Sequence, residues 1–320
     1  MKPVGLLVMA YGTADGPDDI ERYYTDIRGG RAPSAEHLRE LEDRYAAIGN
    51  RFPLLDTTRE QAERLAALLT EQTGREHRPY LGMKHSPPFI SEGVARMCQD
   101  GIERAIGIVM APHWSQMSIE TYVERALAAL EHGGPEMTFL RQWHDHPAFV
   151  AFLAERVRAA LDTLPPSERE RVEVIFSAHS LPQRTEADGT TRCLTCHECP
   201  EGCRYAAGLR ETADLVAAEV GLGGEAYTTG WQSAGRTAHP WLGPPVEDVI
   251  RDAAAAGRTA IVSCSAGFVA DHLEVLYDLD IEAREVAGEV GLGFVRTEMP
   301  NADPAFIEVL AQVVRDHLAE

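Results

Sequence analysis

Four cysteines fall within eleven residues, Cys193, Cys196, Cys199 and Cys203, in the spacing C-x2-C-x2-C-x3-C. Thiolates this close in sequence can converge on one centre at little loop-closure cost. Three states fit the spacing: an iron–sulfur cluster, a structural zinc site, or free thiols. A second constellation lies in Phe268–Glu282, FVADHLEVLYDLDIE, where Glu274, Asp278 and Glu282 recur every four residues. On a helix that spacing makes one acidic stripe, and Val275, Leu276 and Leu279 supply an apolar face beside it. Like charges four residues apart destabilise an isolated helix by about 0.2–0.5 kcal/mol per pair. The stripe is either a solvated acidic face or a ladder of oxygen ligands that hands a divalent cation along the helix. His272 opens the same segment.

Two further groups can touch a ligand. Residues 4–10, VGLLVMA, read as a buried parallel strand ending in Tyr11-Gly12-Thr13. Open α/β sheets bind ligands outside the carboxyl ends of their strands, so Tyr11 either contacts a ligand or merely closes the strand. Tyr23, Tyr24, Arg28 and Arg31 follow within ERYYTDIRGGR, then Arg44 and Tyr45. Rings that stack and guanidinium groups that pair carboxylates suit a flat anionic ligand. The same residues are equally at home on a solvated helix surface.

The elements that must position these groups alternate. Strand-like runs occur at Tyr80–Met83, Ala105–Met110, Met137–Leu140, Val172–Phe176, Tyr227–Trp231 and Ala260–Cys264. Helical periodicity marks Thr57–Thr70, the stretches around 92–103 and 118–132, Pro147–Leu161, Leu209–Val220, Val246–Ala255 and Ala305–Leu318. Such alternation predicts an α/β fold of two similar domains, each a parallel sheet between helices. Pro165-Pro166-Ser167 reads as a linker between them. One strand of the first half leads into His113 and one of the second into His179, a faint echo of duplication.

Composition sets the bounds. The chain has 320 residues, 44% of them hydrophobic, enough for two packed cores. Fifty acidic against thirty basic side chains give a formal charge of −20. That field repels nucleic acid and anionic membranes, tolerates a cationic substrate, and requires a local basic patch for an anionic one. No apolar run approaches the roughly 20 residues that span a bilayer, and no signal peptide opens the sequence, so a soluble cytoplasmic protein is expected. In that compartment clustered cysteines point to metal or cluster binding rather than disulfides. The run resembles the ferredoxin ligand pattern, with Arg204 where proline usually follows the fourth cysteine, and the lack of a second set implies one four-ligand centre. Cys98 and Cys264 lie in apolar surroundings and are expected in the core.

Taken in order, LLVMAYGT, ERYYTDIRGGR, GMKHSPPF, APHWS, SAHSLP, GWQS, WLGPPVED and GFVADHLEVLYDLDIE resemble ferrochelatases over essentially the whole chain, with SAHSLP and GFVADHLEVLYD the most specific. The similarity is to the monomeric Gram-positive type, associated with coproporphyrin. The resemblance implies two Rossmann-like domains with a cleft between them, residues 1–163 and 164–302, the second carrying the cysteine segment, and a helix at 303–320 packing back on the first. It implies a lyase that inserts ferrous iron into coproporphyrin III, giving coprohaem in haem biosynthesis, and a transient contact with a downstream pathway enzyme. By motif match His179 and Glu274 form the catalytic pair and bind the metal on one face of the macrocycle. Tyr11 is catalytic on the other face, where it ligates the product's iron. Asp278 and Glu282 match outer metal positions. Arg28, Arg44, Tyr45 and Tyr122 match propionate contacts, with Arg31 as a substitute. The cysteine segment departs from the simplest Gram-positive members; other ferrochelatases carry a cluster, generally 2Fe–2S, which is the expectation here ahead of zinc.

The residues agree with that chemistry. Metallation removes two pyrrole protons, and a histidine titrating near neutrality can accept one while a carboxylate orients it. Oxygen ligands hold Fe(II) weakly enough to release it to four nitrogens. Competing expectations are a protoporphyrin IX ferrochelatase, a cobalt or nickel chelatase on the same fold, and a haem or iron–sulfur sensor without turnover.

Overall fold

The computed structural model describes residues 2–319 except His132, Glu170, Ala187, Asp188, His197, Glu198, Pro200–Gly202 and Arg236. Part of the cysteine segment therefore lies outside the described residues; its four cysteines lie within them.

The first half forms a parallel sheet of β1 (Val4–Ala10), β2 (His77–Met83), β3 (Arg104–Val109) and β4 (Glu136–Leu140), in the order β2-β1-β3-β4. β1 is buried along its whole length, as a central parallel strand covered on both faces must be. Its side chains alternate between two cores. Leu6 and Val8 join Leu65 and Leu69 of helix Leu54–Thr73, whereas Leu7 and Met9 join Ile90, Val94 and Met97 of helix Ile90–Gln99.

The second half repeats the plan with β5 (Val172–His179), the short antiparallel pair β6 (Gln183–Thr185) and β7 (Thr191–Cys193), then β8 (Tyr227–Gln232), β9 (Ala260–Cys264) and β10 (Gly293–Arg296). The parallel sheet runs β10-β9-β5-β8. Val174 and Phe176 of β5 share the apolar layer that holds Leu6 and Val8, while Ile175 faces Val249, Ile250, Val275 and Leu279. The layer between the sheets is thus continuous. Helix Pro304–Ala319 buries Phe306, Leu310, Val313 and Val314 in it and lies against helices Leu54–Thr73 and Pro147–Thr163. No helix of the described residues is long and apolar enough to cross a membrane.

Several local expectations are corrected. Phe268–Glu282 is not one regular helix: an α-turn, Leu273–Leu276, is followed by a π-turn, Asp278–Ala283. The stretch expected as a linker contains a helical turn at Pro166–Arg169. Cys264 is fully buried, but Cys98 is exposed. Successive helix residues point about 100° apart, so Met97, one step earlier, takes the core position.

Candidate active site

The carboxyl ends of β1 and β5 open on a cleft of about 960 Å³, at the upper end of ordinary small-molecule sites. From β1 come Tyr11, Gly12 and Thr13. Gly12 has φ +99°, and a Cβ there would stand 2.6 Å from Ser86 Oγ, so a side chain would push this turn off the neighbouring loop. The close approach is used: His85 N–H donates to the Tyr11 carbonyl, and the Tyr23 hydroxyl donates to that of Gly12. The Tyr11 and His85 rings lie 4.7 Å apart, and His85 Nδ1 is 2.7 Å from Asp26 Oδ1. Burial, reinforced by the Glu274 charge, holds the Tyr11 phenol well above its ordinary range.

β5 ends on His179. Gly267, in the loop after β9, packs where a Cβ would come 2.4 Å from that of Ala178, which presses this loop against the strand beside His179. The His179 Nδ1–H donates to the Ser180 carbonyl, which fixes the tautomer. Nε2 is left to face Glu274 Oε1 at 3.4 Å. Burial opposes a charge on this ring, but the Glu274 carboxylate, the Ser180 carbonyl and Asp278 outweigh it and raise His179 to about 9. Burial likewise opposes the Glu274 charge, and His179, His272 and Arg44 overcome it, bringing that carboxyl down to about 2. His179 and Glu274 therefore form an imidazolium–carboxylate pair. Behind it, Ser177 Oγ donates to Gln232 Oε1 and Gln232 Nε2 donates to the Glu274 carbonyl, tying the pair to the ends of β5 and β8. The Glu274 N–H donates to His272 Nδ1 and fixes the start of the turn.

All three acidic residues line the cleft despite the irregular helix. The Glu282 N–H reaches the Tyr277 carbonyl, five residues back, so the backbone is locally underwound while its carboxylates stay on one side. Asp278 is almost fully buried. Ser233 Oγ donates to its Oδ2, and Arg44 Nη1 stands 3.8 Å from its Oδ1, which lacks a hydrogen bond. Burial and the neighbouring Glu274 push Asp278 up to about 7. Burial also raises Glu282.

Arg28, Arg44, Tyr45 and Tyr122 line the same cleft. Tyr45 stacks on Phe52 at 4.5 Å, and Arg44 lies over the Tyr277 ring at 4.9 Å. Arg31 is not among the lining residues; its Nε donates to the Arg28 carbonyl and Arg28 Nε donates to its own, so it braces Arg28 from outside. Sequence reasoning assigned no role to Lys84 or His85, both of which line the cleft. Lys84 lies 5.1 Å over the Tyr122 ring, and burial together with Arg125 lowers it to about 8. Their place in GMKHSPPF, directly after a strand that pairs with β1, was the available signal.

The chain's similarity to other proteins agrees with this geometry. The family model described as ferrochelatase matches residues 3–318. The chain belongs to the ferrochelatase family. The coproporphyrin III ferrochelatase of Geobacillus kaustophilus (strain HTA426) is 48% identical, covering 100% of this chain and 97% of its own length. That of Bacillus subtilis (strain 168) is 45% identical over 98% and 97%. Among solved structures, SirB from Bacillus subtilis with Fe3+ aligns at TM-score 0.56 and 11% identity, covering 99% of this chain and 95% of that one. CbiX aligns at 0.53 and 13%, over 98% of each. Identities this low show a shared chelatase fold. Within the ferrochelatase family, then, this chain brings His179, Glu274, Asp278, Glu282 and Tyr11 to one cleft.

The cysteines form a separate cluster. Cys193 ends β7, and Cys203 caps helix Arg204–Val220. Two sulfur–sulfur contacts are short, Cys193 with Cys203 at 3.1 Å and Cys196 with Cys199 at 2.7 Å. Cys193 and Cys196 are buried against the apolar layer of the first sheet that holds Leu7 and Met9. The sulfur of Cys193, aided by backbone N–H groups of Ala206 and Tyr205, lowers the Cys203 thiol below its ordinary range, as the amino end of a helix favours thiolate.

Proposed function

We propose that this ferrochelatase-family chain inserts ferrous iron into coproporphyrin III, with His179 and Glu274 as the proton-accepting pair. The carrying observation is the fixed orientation of the His179 ring, with Nδ1–H on the Ser180 carbonyl and Nε2 held 3.4 Å from Glu274 in a cleft large enough for a tetrapyrrole. Before iron arrives, His179 is charged because Glu274 is beside it. Arrival of an iron dication at Glu274 and the acidic residues beyond it withdraws that support and lowers the His179 pKa, so the imidazolium releases its Nε2 proton to solvent and the freed nitrogen then takes a pyrrole proton. Asp278 and Glu282 carry the iron inward along the turn. Tyr11 approaches the iron of the product from the other wall. The carboxylates of the substrate go to Arg28, Arg44, Lys84, Tyr45 and Tyr122, a basic and hydroxyl-bearing patch within an acidic protein. The names of the relatives support coproporphyrin III over protoporphyrin IX.

The cysteine segment fits a two-iron, two-sulfide cluster. The four thiols lie near one another, which suits either a cluster or a zinc ion, and the resemblance puts the cluster first. Cys193, Cys196, Cys199 and Cys203 would hold it, with N–H groups at the start of helix Arg204–Val220 directed at the sulfurs. Bound, it supplies one-electron chemistry that metal insertion does not use. Tyr205, two residues after Cys203, donates its hydroxyl hydrogen to the His179 carbonyl, so the segment bears on the catalytic strand end. The resemblance supplies the wider setting: a cytoplasmic monomer in transient contact with the next haem-pathway enzyme.

Anaerobic ferrous insertion assayed in parallel with coproporphyrin III and protoporphyrin IX tests the reading. Turnover of coproporphyrin III, abolished in His179→Ala, is expected. Preference for protoporphyrin IX would overturn the substrate, and no turnover of either by folded protein would overturn the activity.

A further inference from the structure

A polar cluster outside the cleft has no part in this reaction. His144, Asp145 and Glu211 each bring a ligand atom to within 4.8 Å of the others. His144 and Asp145 follow β4, and Glu211 comes from helix Arg204–Val220. The site is therefore built by tertiary contact and not by one run of acidic residues.

Its centre is buried and its rim is open. His144 is 6% exposed, whereas the Asp145 and Glu211 side chains are 49% and 57% exposed. His144 Nε2 is 3.1 Å from Glu211 Oε2. A carboxylate only accepts, so in the neutral ring Nε2 carries the hydrogen and Nδ1 presents a lone pair. That Nδ1 is buried without a hydrogen-bond partner, and Asp145 Oδ1 stands 4.0 Å from it. The gap is too long for a hydrogen bond. It is about the span of two ligands placed on either side of one ion at roughly 2.0–2.2 Å from each.

The surroundings keep this opening in place. A Cβ on Gly208 would come 3.3 Å from His144 Nε2 and 3.5 Å from the His113 ring, so the glycine lets both imidazoles lie against the helix. The two rings are 5.2 Å apart, and His113, held by Thr212 at 2.9 Å, lines the cleft on its other side.

We propose that His144 Nδ1 and Asp145 form a second binding site for a first-row divalent cation, one histidine ring behind the cleft wall, with Glu211 holding the ring in place through Nε2–H. One imidazole and one carboxylate, completed by water, suit Mn2+, Fe2+, Co2+ or Zn2+, and the Glu211 carboxylate behind the ring raises the basicity of Nδ1. The site is chemically distinct from the cysteines, whose soft sulfurs disfavour Mn2+.

Mn2+ is accordingly the probe. Porphyrin-free protein with its cysteine centre as isolated is titrated with Mn2+, and free ion is followed by electron paramagnetic resonance. Asp145→Asn/Glu211→Gln changes exposed carboxylates to amides of the same size, and Glu274→Gln/Asp278→Asn accounts for ion held in the cleft. The expected result is loss of one bound Mn2+ per chain in the first double variant and its retention in the second, with an anomalous-scattering peak beside His144 Nδ1 in crystals grown with Mn2+. Equal stoichiometry and affinity in wild type and Asp145→Asn/Glu211→Gln, or no peak at His144, overturns the proposal.

Discussion

The wall that the first half contributes to the cleft is aromatic and cationic, with Tyr11, Tyr45, Tyr122, Arg28, Arg44 and Lys84; the second half contributes His179, Glu274, Asp278 and Glu282. Each wall crowds like charges, and its pKa values record the crowding. Lys84 is lowered to about 8 by burial and by Arg125, while Asp278 is raised to about 7 by burial and by Glu274. Binding a polycarboxylate relieves the first wall, and binding a dication relieves the second. The arrangement therefore gives each ligand one wall to neutralise, and the acidic wall turns the carboxylates of a porphyrin toward the other. Substitutions that act on one wall alone should separate the chemical step from substrate binding.

The largest effect is expected at His179. His179→Ala removes the proposed proton acceptor, and a loss of about a thousandfold in kcat is expected from the usual scale of general acid–base catalysis. Porphyrin affinity, measured by fluorescence quenching, should change less than threefold because the first wall is untouched. A comparable loss of affinity would mean that the walls do not divide their roles.

Glu274→Gln should cost about a hundredfold in kcat and also move the pH profile. In wild type His179 is charged below about 9, so kcat/KM for iron should rise with pH toward that value. The amide no longer supports the imidazolium, while burial still opposes it. The His179 pKa must then fall, and the rising limb should shift to lower pH by at least one unit. An unmoved limb in a pH series would assign it to another group.

Much of this division was legible in the sequence, and the gaps have physical causes. The strands of both sheets announce themselves as apolar runs because parallel strands are covered on both faces. β10 escaped because Gly293–Arg296 is a short edge strand, only partly buried. β6 and β7 are three residues each and largely polar, so no period can be read from them. The four-residue spacing of Glu274, Asp278 and Glu282 correctly placed them on one side, yet it could not distinguish an α-helix from an α-turn followed by a π-turn. That difference resides in backbone hydrogen bonding, which side-chain spacing does not encode. Lys84 and His85 enter the site through pairing of β2 with β1, a contact between segments about seventy residues apart.

Arginines on the first wall should affect binding more than chemistry. A charge-assisted hydrogen bond contributes about 1.5–3 kcal/mol, so Arg28→Ala should raise KM for coproporphyrin III by about tenfold and leave kcat within about twofold. Arg44 sharpens the comparison because it also faces the second wall, 3.8 Å from Asp278. Arg44→Ala should therefore raise KM for both porphyrin and iron. A change confined to the porphyrin term would show that its contact with Asp278 has no role in metal binding.

The smallest effect is expected at Arg31, which the resemblance offers as a substitute propionate contact beside Arg28. In the folded chain the two arginines exchange hydrogen bonds between guanidinium and carbonyl, but only Arg28 lines the cleft. Removing the Arg31 side chain leaves the Arg28 guanidinium bonded to the Arg31 carbonyl, which any residue supplies. Arg31→Ala should then raise KM for coproporphyrin III less than twofold, and Arg28→Ala/Arg31→Ala should match Arg28→Ala alone. An independent, additive loss in the double variant would mean that Arg31 reaches the substrate directly and that the cationic wall extends beyond the cleft's edge.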